Sequence, residues 1–272
     1  MHRIHYNHTL PLLIIMTMLS CSLKAQEYFQ QEVNYRIDVT LNDQHHILRG
    51  FETIEYTNNS PDNLKFIYFH LWPNAYKTNQ SALAEEQFKS EGKHHLFEHK
   101  DQQGFIDSLN FRVNGNTVSW DYHNGHMDIC RIQLNKPVQP GETITITTPF
   151  RVKIPLGVTS RLGHIKQSYK ITQWYPKPAV YDQYGWHPMP YRDMGEFYSE
   201  FGSFEVNITL PENYVVAASG QLQTPDEMEW LNKRAVESEG QFSFDRSNMD
   251  IPASAEQNKT LRYTLENAHD FA

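Results

Sequence analysis

From about residue 30 onward, apolar and polar positions alternate in short runs separated by turn residues, the period-two pattern of strands with one buried face. In Tyr35-Arg36-Ile37-Asp38-Val39-Thr40-Leu41, the side chains of Ile37, Val39 and Leu41 share one face, and Leu48 to Tyr56 follows as the hairpin partner. Leu64 to Leu71 (LKFIYFHL) is apolar on both faces, which predicts a strand covered on both sides. Phe111-Arg112-Val113 and Thr117-Val118-Ser119-Trp120 flank Asn114-Gly115, the strongest short hairpin signal in the chain. Further strands are expected at Ile129 to Leu134, Thr143 to Thr147, Phe204 to Leu210, Tyr214 to Ala218 and Leu261 to Leu265. Ser81 to Lys93 and Asp226 to Val236 read as short helices inserted on this scaffold. The pattern predicts an all-β, mainly antiparallel domain with one or two helical insertions.

One stretch breaks the alternation. Gln167 to Pro190 (QSYKITQWYPKPAVYDQYGWHPMP) gathers Tyr169, Trp174, Tyr175, Tyr181, Tyr184 and Trp186 around Pro176, Pro178, Pro188 and Pro190. Each proline removes a backbone donor and fixes its own φ, so the segment cannot be a plain central strand or helix. Side-chain packing must hold it, either as an aromatic plug closing one end of the core or as part of a binding surface.

The 272 residues suffice for one large or two small domains, and 13% aromatic content argues against disorder. A formal net charge of −8 without a long basic run excludes a phosphate-binding surface for nucleic acid. At the N-terminus, Arg3 precedes the apolar Leu10 to Leu19, too short to span a bilayer, and Leu23-Lys24-Ala25 ends in a small residue before Gln26. Residues 1–25 are therefore expected to be a signal peptide, placing the protein in the periplasm or outside a bacterium. Cys21 offers the rival reading of a lipoprotein anchor. After cleavage at Ala25 only Cys130 remains, so no intramolecular disulfide forms.

Four segments carry a family resemblance. They are Tyr35 to Leu41, His70-Leu71-Trp72-Pro73-Asn74-Ala75, Thr172-Gln173-Trp174-Tyr175-Pro176-Lys177-Pro178, and Phe204 to Gly220 (FEVNITLPENYVVAASG). Together they resemble, in order, the N-terminal domain of the aminopeptidase N-like zinc metallopeptidases, a family that includes leukotriene-hydrolase-type enzymes. The closing Glu266-Asn267-Ala268-His269-Asp270-Phe271-Ala272 is similar to the point where that domain passes into the catalytic one. The resemblance implies a saddle-shaped, sandwich-like β domain over residues 26–268, with 269–272 opening a missing catalytic domain. It further implies zinc in that missing domain through H-E-x-x-H, a motif not found in this sequence, so the chain alone is expected to be inert. The implied partners are the catalytic domain of the same protein and a peptide substrate, with no nucleic acid and no membrane span. It also places a Gln or Glu beside the substrate's α-ammonium, and counting back from Pro176 points to Gln167, with Gln173 as its rival. An amide oxygen on a loop carried by a sheet can accept from an ammonium.

Other signals are weaker. His95-Leu96-Phe97-Glu98-His99 fits the reversed zinc-protease pattern H-x-x-E-H, but Gly92, Gly104 and the polar run from Lys100 to Gln103 give no face to bury such a helix. A solvated loop is expected. His70 reads as a hydrogen-bonded core histidine, and His164 and His187 lack ligand-spaced partners. Cys130, in a strand, reads as a buried inert thiol. A stand-alone exported β module that binds peptide or glycan through the aromatic segment is the competing function.

Overall fold

The computed structural model describes residues 28–92, 97–158, 160–195, 197–239 and 252–272. The expected signal peptide with Cys21, and His95, lie outside the described residues. In chain order the strands begin β1 (Glu32–Asn42), β2 (Ile47–Thr57), β3 (Leu64–His70), β4 (Phe105–Asp107), β5 (Arg112–Val113), β6 (Asn116–Thr117), β7 (Trp120–His123), β8 (His126–Val138) and β9 (Thr143–Lys153). They continue with β10 (Gly157–Val158), β11 (Gly163–Ile165), β12 (Ser168–Lys170), β13 (Lys177–Pro178), β14 (Tyr181–Asp182), β15 (Gly185–Trp186), β16 (Gly202–Pro211), β17 (Gln221–Leu222) and β18 (Asn258–Ala268). Two α-helices intervene, α1 (Ala82–Glu91) and α2 (Pro225–Ser238), and the fold is all-β with antiparallel pairing dominant.

The main sheet runs β17-β18-β16-β1-β2-β9-β5-β6, with β4 also on β9. Its long central strands follow the alternation in the sequence: Val33, Tyr35, Ile37 and Val39 of β1 are buried while Arg36, Asp38 and Thr40 are exposed. The one parallel pair in this sheet joins β1 to β16, Tyr35 opposite Phe204. Gly50 lies opposite Phe150 on β9, and a Cβ there would sit 2.3 Å from the Phe150 ring, so only glycine lets that ring lie flat across β2.

The second sheet, β13-β3-β8-β7, covers the core from the other side. As its two-sided apolar pattern predicts, β3 is buried on both faces: Ile67 and Phe69 join the main core, while Phe66 and Tyr68 pack with Ile129, Ala179 and Trp186. The proline-rich run supplies the edge of this sheet. Lys177 and Pro178 pair with His70 and Phe69, and an edge position tolerates the donor that Pro178 lacks.

Both expected helices form. Ser81 caps α1 by accepting from the Ala84 N–H, and Gly92 ends it in the left-handed conformation. Tyr214 to Ala218, expected as a strand, is irregular. Tyr214 instead turns its hydroxyl to Asp43, 2.8 Å away, and Val216 spends its carbonyl on the Tyr263 hydroxyl, 3.1 Å away. Side-chain anchors take the place of ladder bonds there. No helix among the described residues is long and apolar enough to cross a membrane.

Candidate functional site

The aromatic–proline segment divides into three parts with different surroundings. The first is the hairpin of β11 and β12, whose turn holds Lys166, at φ 51°, and Gln167, half-buried. This hairpin is fastened to the β1–β2 turn by aromatic contacts. The rings of His164 and His46 stack with centroids 3.5 Å apart, and the Tyr169 hydroxyl sits 2.8 Å from His46 Nδ1. Burial and the neighbouring His164 push the His46 imidazole down to about 4, so the stack is neutral at ordinary pH. Burial likewise lowers His164.

The second part, Gln173 to Val180, is buried throughout. Gln173 turns the chain inward with φ 55°, a conformation uncommon for a residue with a side chain. The next residues converge on Asp270. Its carboxylate accepts from the Tyr175 hydroxyl at 2.8 Å, from Lys177 Nζ at 2.6 Å, from the Phe271 N–H at 2.9 Å and from Gln173 Nε2. Trp174 Nε1 donates to the Phe271 carbonyl at 3.1 Å. Lys177 is 1% exposed and lies between the Trp72 and Tyr175 rings, 5.5 and 5.1 Å from their centroids. Burial pulls the Lys177 ammonium below its usual range, and Asp270 opposes that shift. Gln173 Oε1 is enclosed without a hydrogen-bond partner among the described residues.

The third part, Tyr181 to Pro190, returns to the surface as the β14–β15 hairpin. Asp182 accepts from the Tyr184 N–H and from His187 Nε2, both at 2.8 Å, and from the Tyr198 hydroxyl at 3.1 Å. Burial works to raise the Asp182 carboxyl, but these donors outweigh it and hold it below its usual value. Beyond the hairpin, Tyr191 N–H donates to buried Asp128 at 2.6 Å, and the Met189 N–H donates to His70 Nε2 at 3.1 Å. His70 is thus the core histidine the sequence implies, stacked on Trp72. Between the hairpin, residues 28–30 and residues 197–201 lies a cleft of about 450 Å³. Glu200, 3% exposed, stands in its wall and accepts from the Tyr181 N–H at 3.1 Å. Burial raises the Glu200 carboxyl to about 8, against the backbone donors that lower it.

The structure thus keeps Gln167 and Gln173 apart in character. Gln167 stands at a hairpin tip, whereas the Gln173 amide is turned inward and tied to Asp270. Sequence reasoning singled out the run Glu266 to Ala272 but missed the role of Asp270 within it, and it missed the Asp182–His187 pair, whose five-residue spacing becomes contact only through a hairpin. Glu52 was also hidden in an alternating strand. It is fully buried on the core face of β2 with both carboxylate oxygens unpartnered among the described residues, and burial raises it well above its usual range. Cys130 is buried, and burial raises its thiol, as expected of an inert cysteine. Glu98 and His99 lie exposed beyond the end of α1 rather than on a helix. Among the described residues no three His, Cys, Asp or Glu side chains come together to hold a metal.

Neither a family model nor a curated protein matches the sequence. Among solved structures, the chain is similar to an M1 zinc metallopeptidase from Deinococcus radiodurans, at 16% identity and a TM-score of 0.42, over 89% of this chain and 40% of that one. It is similar to a mutant of that metallopeptidase bound to a Tyr-ser-ala substrate, at 15% identity and a TM-score of 0.43, over 86% of this chain and 39% of that one. The chain therefore spans about two fifths of the length of these structures.

Proposed function

We propose that this chain is the N-terminal, substrate-cleft domain of an exported zinc-dependent aminopeptidase, whose zinc and hydrolytic chemistry belong to a catalytic domain of the same protein. The observation that carries this reading is a convergence. Thr172 to Pro178 and Glu266 to Ala272 are nearly a hundred positions apart, yet both belong to the family resemblance, and they meet through the bonds of Gln173, Tyr175 and Lys177 to Asp270. The run that carries the most specific motif is fixed against the run that resembles the passage into the catalytic domain. Gln167 is the side chain proposed to accept from the α-ammonium of a peptide, with Gln173 as the second candidate.

The full-length gene product tests this. Zinc at one equivalent per chain by atomic absorption, with hydrolysis of aminoacyl p-nitroanilides, is expected. Gln167→Ala should raise KM about tenfold or more at unchanged melting temperature, the loss of one hydrogen bond to a charged group. A natural gene product without zinc and without hydrolysis removes the proposal.

A second reading, an exported β module that binds peptide or glycan by itself, is favoured by the cleft and by Tyr184, 81% exposed at its edge. It requires that the isolated chain retain full affinity for its ligand.

A further inference from the structure

The cleft beside the β14–β15 hairpin is separate from the Asp270 cluster and has features of a built site. Its volume, about 450 Å³, lies within the range of small-ligand pockets. Tyr28, Tyr184 and Tyr198 line it and are 80%, 81% and 45% exposed, offering ring edges and faces to whatever enters. Asp182 is its carboxylate at neutral pH, Glu200 beside it is held largely protonated by burial, His269 is its one imidazole, and no Lys or Arg lines it. Ser199, 6% exposed, also lines it, and its hydroxyl has no hydrogen-bond partner among the described residues. A buried hydroxyl without a partner is uncommon in a finished core and marks a group that a ligand or water completes. Aromatic rings around carboxylates attract a compact cation both through the ring quadrupole and by charge. A neutral saccharide would use the rings but not the charge of Asp182, which a cation would share with His187.

We propose that this cleft binds a guanidinium or primary ammonium carried on a short aliphatic stem, with Asp182 as the charged contact and Tyr184 and Tyr198 enclosing the stem. The same chemistry is offered by a free polyamine and by a Lys or Arg side chain of a peptide. The site lies outside the glutamines of the proposed function and needs no zinc, so its test is independent of that reading.

Titration of the protein by calorimetry and by NMR, with agmatine and with Nα-acetyl-arginine amide, tests the proposal. Saturable binding of one or both is expected, with the better ligand showing whether the free amine or the side chain is the source. N-butylurea, which is neutral and of similar shape, should not bind. Asp182→Asn should weaken agmatine about tenfold, and Tyr184→Ser, which removes an exposed ring and no core contact, by several-fold. The tyrosine variant keeps the test decisive if loss of Asp182 loosens the hairpin. No binding of either cation, equal binding of n-butylurea, preference for a saccharide such as maltotriose, or affinity unchanged in both variants overturns it.

Discussion

The second and third parts of the aromatic–proline segment, one closed and one open, are alike in composition and opposite in fate. Gln173 to Val180 is buried to the last residue and closes on Asp270, whose carboxylate accepts from a buried ammonium, a phenol, an amide and a backbone N–H. Tyr181 to Pro190, equally rich in rings and prolines, stays at the surface. There Asp182 accepts from a backbone N–H, His187 and Tyr198, and no lysine or arginine reaches it. The difference lies in charge compensation. Where the buried Lys177 supplies a fixed cation from within the chain, the segment shuts into the interior; where the partner is the part-exposed His187, Asp182 keeps contact with an open cleft. Aromatic content alone does not decide between core and binding surface.

Breaking the closed half should have the largest effect. Asp270→Ala leaves the Lys177 ammonium buried without its partner and is expected to destabilise the protein by about 3–5 kcal/mol, read as a lowered denaturation midpoint. Replacing both members, with Lys177→Met and Asp270→Leu together, should recover much of that loss; if it does not, Asp270 acts mainly through Gln173 and Tyr175 rather than through charge.

The open half predicts a pH effect of the opposite kind. Glu200 titrates near 8 in the folded protein and near 4.5 when unfolded, so the folded state holds the proton longer. Stability should therefore decline as pH rises from about 4.5 to 8 and level off above, by an amount on the order of a few kcal/mol. Glu200→Gln should flatten this slope in urea melts taken across that range.

A smaller effect is expected at the His46–His164 stack. His46 titrates near 4 folded and 6.5 unfolded, so the stability it contributes is present above 6.5 and is lost as pH falls towards 4. Loosening should appear first in hydrogen exchange of the β11–β12 hairpin that carries Gln167, and His46→Asn should reduce that sensitivity to acid. Smallest of all, Tyr184→Ser should leave the unfolding free energy within about 0.5 kcal/mol of the parent in urea melts, because the side chain is 81% exposed. A large loss there would mean that the open half is structural after all.

The sheets were legible because period two is a local signal, and Tyr35 to Leu41 or Leu64 to Leu71 state their burial within seven or eight residues. The short helix expected over Ser81 to Lys93 was equally local. The polar architecture was not. Asp270 and Lys177 lie 93 positions apart, so nothing near either residue announces the pair. Glu52 falls in phase with Leu48, Ile54 and Tyr56 on the core face of β2, where an apolar residue would be expected, and the alternation does not say why a carboxylate stands there. Tyr214 to Ala218 misled for the converse reason, since its apolar pattern serves anchoring to Asp43 and Tyr263 rather than a ladder. For the glutamines, spacing from Pro176 locates both but says nothing of which way an amide faces.

The parallel pairing of β1 with β16 bears on how the molecule is assembled. Asn34 and Ser203, hydrogen-bonded across that junction, are separated by 169 positions, while β1 meets β2 within a short hairpin. A chain emerging from the ribosome therefore acquires one neighbour for β1 early and must wait until some 169 further positions have followed to acquire the other. Until then the strand's outer rim is an unfilled template for pairing with foreign backbone, a window in which a holdase chaperone would have its greatest value.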